Sequence, residues 1–148
     1  MIKFQEYDEE FLEKSWEWLN DEEVKKMTMT PNFTKEDQKK WFLDLKKKTN
    51  YFIRGIFYNG VKIGVVGLKN INRNSAEYWG YIGEKEHWGQ GIGKIMLTYT
   101  ENIARDKEIK FIYLKVSKDN KRAKSLYLKN GYIFFKEEKE FLILEKQL

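Results

Sequence analysis

Residues 76–104 constrain this chain more than any other stretch. Ala76–Ile82 is an aromatic-rich run that reads as a strand. Trp88-Gly89-Gln90-Gly91-Ile92-Gly93-Lys94 follows. Ile92, Ile95, Met96, Tyr99, Ile103 and Ala104 then form one stripe of a helix. A strand that hands three alternate glycines to a helix start builds an anion cradle. The N–H groups of the first helical turn have no acceptor within the helix, and the helix dipole adds partial positive charge there. Glycine lets a phosphate come close without meeting a Cβ. A phosphorylated cofactor is therefore expected on residues 89–94.

The remaining elements read in order around this stretch. Residues 2–6 alternate as a first strand. Asp8 caps a helix with Phe11, Leu12, Trp16 and Leu19 on one face, and Asp21 caps a short turn through Val24 and Met27. Met27 to Phe33, with the only proline, reads as a loop. Thr34-x-x-Asp37 opens a further helix as a capping-box variant. Tyr51–Tyr58 and Val61–Leu68 are strands joined by Asn59-Gly60, a strong hairpin signal. With the 76–82 strand they make an antiparallel meander. Phe111–Val116 is a strand between two helices, the second running from Asn120 to Asn130-Gly131. Tyr132–Phe135 and Phe141–Leu144 close the chain as strands. Helical connections on either side of 111–116 make that strand parallel to 76–82. The expectation is one α/β (α+β) domain over residues 1–148, a mixed sheet with helices on both faces.

Composition removes whole classes of chemistry. The chain has no cysteine, which excludes thiolate nucleophiles, disulfides and Cys-based metal sites. His87 is the single histidine, so histidine metal clusters and Ser-His-Asp triads are excluded as well. His87 itself reads as a surface or packing residue. No apolar run approaches the ~18 residues of a membrane span, and the N-terminus is unlike a signal peptide. Neither a membrane nor a metal is expected, and a cytoplasmic location is the default. The net charge of +5 suits a phosphate-rich ligand, but no nucleic-acid-binding motif accompanies it.

Two motifs together resemble one family. Trp88-Gly89-Gln90-Gly91-Ile92-Gly93 is similar to the (Arg/Gln)-x-x-Gly-x-(Gly/Ala) turn of the GNAT superfamily of acetyl-CoA-dependent N-acetyltransferases. Asn120-x-x-Ala123-x-x-x-Tyr127-x-x-x-Gly131-Tyr132 is similar to its Asn…Ala…Tyr…Gly-(Phe/Tyr) helix. The element order agrees over nearly the whole chain. One departure stands out: the first position of the turn is Trp88, where the family usually carries Arg or Gln. A Trp-Gly pair resembles the subgroup of ribosomal-protein N-terminal and amino-sugar acetyltransferases.

The resemblance implies a mostly antiparallel sheet of about seven strands with a splayed parallel pair at the cofactor site. It implies acetyl-CoA as the acetyl donor, with its pyrophosphate on Gly89, Gln90, Gly91, Ile92, Gly93 and Lys94. Gly80, inside a strand, would mark a bulge or a close approach; the resemblance places a bulge there, with backbone groups near Tyr81, Ile82 and Gly83 pairing with the pantetheine arm. Asn120 would cap its helix and contact that arm. Tyr127 would bind the cofactor and act as general acid to the departing thiolate. Glu77 would take the amine proton, with Glu84 or water as the alternatives, and Glu77 also reads as a solvated edge charge near its strand's start. The acceptor side would be shaped by Trp16, Trp18, Asn20, Met27, Met29, Phe33 and Trp79. The function implied is acetyl transfer to a primary amine of a small molecule, a nucleotide-linked amino sugar among them. Alternatives are acetylation of a protein N-terminus and a non-catalytic acyl-CoA-binding module. A monomer or a homodimer fits equally.

Overall fold

Turn chemistry fixes the first half of the sheet. In the computed structural model, which describes residues 1–148, strand β1 (Ile2–Glu6) leads into helices α1 (Glu9–Asn20), α2 (Glu22–Thr28) and α3 (Lys35–Asp44). Strands β2 (Phe52–Tyr58), β3 (Val61–Lys69) and β4 (Ser75–Ile82) follow as a meander. Asn59 and Gly60 join β2 to β3 with φ 48° and 83°, the left-handed pair that a two-residue hairpin turn requires. The second half is α4 (Ile92–Asp106), β5 (Phe111–Ser117), α5 (Lys121–Lys129), β6 (Ile133–Glu137) and β7 (Phe141–Gln147). The capping signals hold: Asp8, Asp21 and Thr34 each accept an amide N–H three residues on, and Thr34 and Asp37 form a reciprocal capping box. Asp21 caps a full helix rather than a turn, so the loop expected from Met27 starts only at Met29.

The strands make one seven-stranded sheet in the order β1-β2-β3-β4-β5-β7-β6. All pairs are antiparallel except β4 with β5. That parallel pair is short. It joins Ser75 to Phe111, Ala76 to Ile112 and Glu77 to Tyr113, and there it ends. Strand β4 stays paired with β3 as far as Ile82, and β5 with β7 as far as Ser117. A gap therefore opens between the two halves of the sheet beyond Glu77 and Tyr113. The bulge expected at Gly80 is absent: the β3–β4 register is unbroken from Lys69–Glu77 to Gly64–Ile82. The halves diverge with no residue inserted at Gly80; the register shifts of the sheet lie elsewhere, between Ile56 and Phe57 of β2 and between Phe134 and Lys136 of β6.

Helices cover both faces. On one, Tyr7, Phe11, Trp18 and Val65 form a small core beneath α1, joined by Trp79 and Tyr81. On the other, Met96, Leu97 and Ala104 of α4 pack on Ile56, Val66, Leu68, Ile112 and Leu114, with Tyr78 and Ile82 alongside. Alternation along β4 thus sends Glu77, Trp79 and Tyr81 to one face and Tyr78, Gly80 and Ile82 to the other. Fully buried side chains such as Ile112 and Leu114 each contribute about 1.5–3 kcal/mol of hydrophobic stabilisation. No helix is long and apolar enough to cross a membrane.

Candidate functional site

The gap between β4 and β5 is part of a cleft of about 1290 Å³ that reaches both faces of the sheet. Gly89, Gly91, Gly93, Asn120 and Tyr127 line it on the α4–α5 side. Tyr7, Met27, Trp41 and Tyr51 line it on the other. Tyr78, Gly80, Lys115 and Val116 lie between. Two reactants entering from opposite faces would meet at the gap.

The glycine turn has two kinds of glycine. Gly89 and Gly91 adopt φ 75° and 80°, and a Cβ at either would meet nothing within 4 Å. They give the turn its left-handed bends and leave its surface open. Gly91 is the N-cap of α4 and supplies no side-chain acceptor, so the N–H groups of Ile92, Gly93 and Lys94 remain available to an anion. Gly93 serves packing instead: a methyl there would come within 2.6 Å of Leu126 Cδ2. The side chains of Gln90 and Lys94 do not line the cleft. Gln90 donates to the Glu86 carbonyl at 3.2 Å and meets the His87 ring at 3.2 Å. His87 packs at a tilt against Tyr58, ring centroids 4.9 Å apart, although it also borders the cleft.

Ladder parity decides which backbone groups face the gap. The Gly83 N–H donates to the Ile63 carbonyl at 2.7 Å, which makes this a hydrogen-bonded pair. Two residues back, Tyr81 pairs with Val65 in the same way. Tyr81 and Gly83 therefore turn their peptide groups toward β3. Gly80 and Ile82 turn theirs toward the gap. Of the three residues proposed to hold an extended arm, Ile82 alone has this orientation, and its carbonyl already accepts the Trp88 indole N–H at 2.8 Å. Gly80, not singled out for its peptide groups, takes the central place. Its missing Cβ would lie 2.8 Å from Met96 Cε and 3.1 Å from the Val65 carbonyl, so it is a close-approach glycine. Gly83 is one too, with Trp18 packed where its side chain would be.

Helix α5 carries Tyr127 to the cleft. Asn120 caps it, Oδ1 accepting the Ala123 N–H at 3.2 Å, and the Tyr132 N–H closes it on the Tyr127 carbonyl at 3.0 Å. The Tyr127 ring meets Tyr78 edge-on at 6.1 Å and Tyr132 at 6.0 Å. Burial alone pushes its phenol up to about 12, with no charge or hydrogen bond contributing.

Glu77 is not a solvated edge charge. It is 4% exposed, stands at the last position of β4 that pairs with β5 and lines the cleft. Asn70 Nδ2 donates to Oε1 at 3.1 Å, and Lys69 Nζ stands 3.8 Å from Oε2. Glu84 is elsewhere: it accepts the Trp18 indole N–H at 2.6 Å and does not line the cleft. Its role is to tie α1 to the end of β4.

The α1–α3 end of the cleft is walled by rings. Tyr7 and Trp41 meet at 5.7 Å, Trp41 and Tyr51 at 6.4 Å, Tyr51 and Trp79 at 6.1 Å. Tyr7 donates to Ser15 Oγ at 2.7 Å. Met27, Met29, Phe33 and Trp79 line this end as expected from the sequence, whereas Trp16, Trp18 and Asn20 do not. Tyr7, Trp41 and Tyr51 were missed. The helical stripe and the strand edge that carry them give no sign of facing a common cavity.

Residues 9–132 match the profile of the Acetyltransferase (GNAT) family. The acetyltransferase PseH of Campylobacter jejuni (strain 81-176) is 28% identical over 95% of this chain and 90% of its own. Among solved structures, a domain from Methanocaldococcus jannaschii superposes with TM-score 0.89 at 21% identity, covering 100% of this chain and 99% of that one. Campylobacter jejuni PseH in complex with acetyl coenzyme A superposes with TM-score 0.76 at 19% identity, covering 99% of each chain.

Proposed function

The chain belongs to the Acetyltransferase (GNAT) family, and from that membership we propose that it moves the acetyl group of acetyl-CoA to a primary amine of a small molecule. The observation that carries this reading is the cleft through the sheet, with an open phosphate cradle at one end and a ring-walled pocket at the other. The ring-walled pocket favours a small acceptor over a polypeptide end. A nucleotide-linked amino sugar is the class implied by the subgroup resemblance.

Acetyl-CoA supplies a thioester whose carbonyl accepts a nucleophile. The chain's residues do the rest. The N–H groups of residues 92–94 and the glycines at 89 and 91 hold the pyrophosphate. The peptide groups of Gly80 and the N–H of Ile82 face the extended arm, and an N–H aimed at the thioester oxygen stabilises developing charge by ~3 kcal/mol. Glu77 receives the amine proton, directly or through water. Tyr127 attends the departing sulfur. A phenol raised to about 12 gives its proton to an ordinary thiolate uphill by roughly 5 kcal/mol. Tyr127 therefore acts first as a hydrogen-bond donor to sulfur, and proton transfer completes as the thiolate loses water in the same cleft.

The test is thiol release from acetyl-CoA against a panel of amino sugars, polyamines, amino acids and N-terminal peptides. Turnover with one or more small amines is expected. Turnover confined to the peptides would replace the small-molecule reading with acetylation of protein N-termini.

A further inference from the structure

Positive charge gathers beside the cradle: Asp119 and Glu140 border the same cleft, but neither Lys121 nor Arg122 forms an ion pair. Helix α5 has no acidic residue in its first turn and begins Lys121-Arg122. That is the wrong sign for a helix N-terminus, where the dipole favours anions. The first turn of α4 rests against this helix through the Gly93–Leu126 contact. The Arg122 guanidinium lies 5.8 Å from the centre of the Trp88 ring. The same indole is fixed through its edge, its N–H donated to the Ile82 carbonyl at 2.8 Å. Trp88 is thus anchored on β4 and stands beside an arginine of α5. Trp88, Arg122, Gly89 and Gly91 all border the same end of the cleft. An unpaired cation at a helix start, within cation–π reach of an indole and bordering the same cleft as open backbone N–H groups, is suited to an anion.

We propose that Arg122, positioned by Trp88, is a phosphate-binding residue of this site and that it takes the pyrophosphate of coenzyme A. The proposal rests on the donor site described above. It also accounts for Trp88 standing where a side chain able to bind phosphate directly would otherwise stand. The charge comes from the neighbouring helix, and the loop residue becomes its support. A planar guanidinium suits this task because it stacks on the indole with one face and donates in its plane to phosphate oxygens.

Calorimetric titration with coenzyme A and with 3′-dephospho-coenzyme A tests it. Arg122 is exposed on α5, so its variants are expected to fold. Arg122→Gln is expected to raise Kd for both ligands about tenfold, as loss of a charge-assisted hydrogen bond does, and to flatten the salt dependence of binding. Adding Trp88→Arg to Arg122→Gln is expected to recover most of the loss, which a purely structural role for Trp88 would not produce. Wild-type affinity in Arg122→Gln overturns the proposal. A loss seen with coenzyme A but not with the dephospho form also overturns it, since Arg122 then serves the ribose phosphate. Failure of the wild-type protein to bind either ligand overturns the donor-site reading and the proposal together.

Discussion

Tyr127 and Glu77 occupy opposite sides of the gap, and each has a separable signature. Tyr127→Phe removes one hydroxyl and leaves the ring packed against Tyr78 and Tyr132. We expect kcat to fall by roughly 10² while coenzyme A affinity stays within about twofold; steady-state kinetics beside calorimetry checks both. Glu77→Gln keeps the shape and the Asn70 contact and removes only the basic oxygen. The acidic limb of the kcat/KM–pH profile should disappear, and an unchanged limb would assign the proton to water. In the sequence, the family motif points to Tyr127 and the strand position to Glu77. The sequence did not reveal that Glu77 is buried, because that depends on Lys69 facing it across the β3–β4 register and on Asn70 in the following turn. Nor did it separate Gly80 and Ile82 from Tyr81 and Gly83. Peptide direction alternates with every residue, and a shift of one register step exchanges the two sets. Only the bond from the Gly83 N–H to the Ile63 carbonyl fixes the parity.

The elements were legible where their signals are local. Asn59-Gly60 made the hairpin, the Ile92–Ala104 stripe made α4, and the Asp8 and Thr34 caps set two helix starts, while Asp21 marked the start of α2 but not its helical length. What stayed hidden was how far β4 and β5 pair. Parallel pairing is decided by the twist of two ribbons that are distant in sequence, and no residue in either strand marks where they part. The cradle at the start of α4 is the element with the sharpest test. Space is open around a Cβ at Gly91, though its φ of 80° disfavours one. Gly91→Asp therefore meets no clash, costs about 1–2 kcal/mol in backbone strain, and puts a carboxylate where phosphate should lie. Coenzyme A affinity should drop at least tenfold in a protein that still melts cooperatively. Retained affinity would remove the pyrophosphate from residues 89–94.

Across the whole molecule, the aromatic content buries phenols to an unusual extent. Tyr7, Tyr51, Tyr78, Tyr81, Tyr113, Tyr127 and Tyr132 are all held above the ordinary value, desolvation being the leading cause in each. The sign of the consequence is clear. Near neutrality both the folded and the unfolded chain keep these protons. Above pH 10 the unfolded chain releases them and the folded chain does not, so stability falls as pH rises. For Tyr7, raised to about 12, the loss at pH 11 amounts to about 1.4 kcal/mol. Urea unfolding at pH 8 and pH 11 should show a steep decline that Tyr7→Phe makes shallower by that amount. An equal decline in both proteins would mean that Tyr7 ionises freely in the native state.

The cleft through the sheet is also divided along the chain. The ring-walled end is made mostly by residues 7–51, and the end with the glycine turn by residues 89–127. These are separate stretches of chain, folded against opposite faces and touching the same opening. Descendants of such a protein are free to rewrite the first stretch for a new amine while inheriting the second intact. Strand β4 is the element both ends share, with Glu77, Trp79 and Tyr81 toward one and Tyr78, Gly80 and Ile82 toward the other. It is there that divergence in acceptor taste must be reconciled with a donor that does not change, and there that grafting one lineage's specificity onto another should succeed or fail.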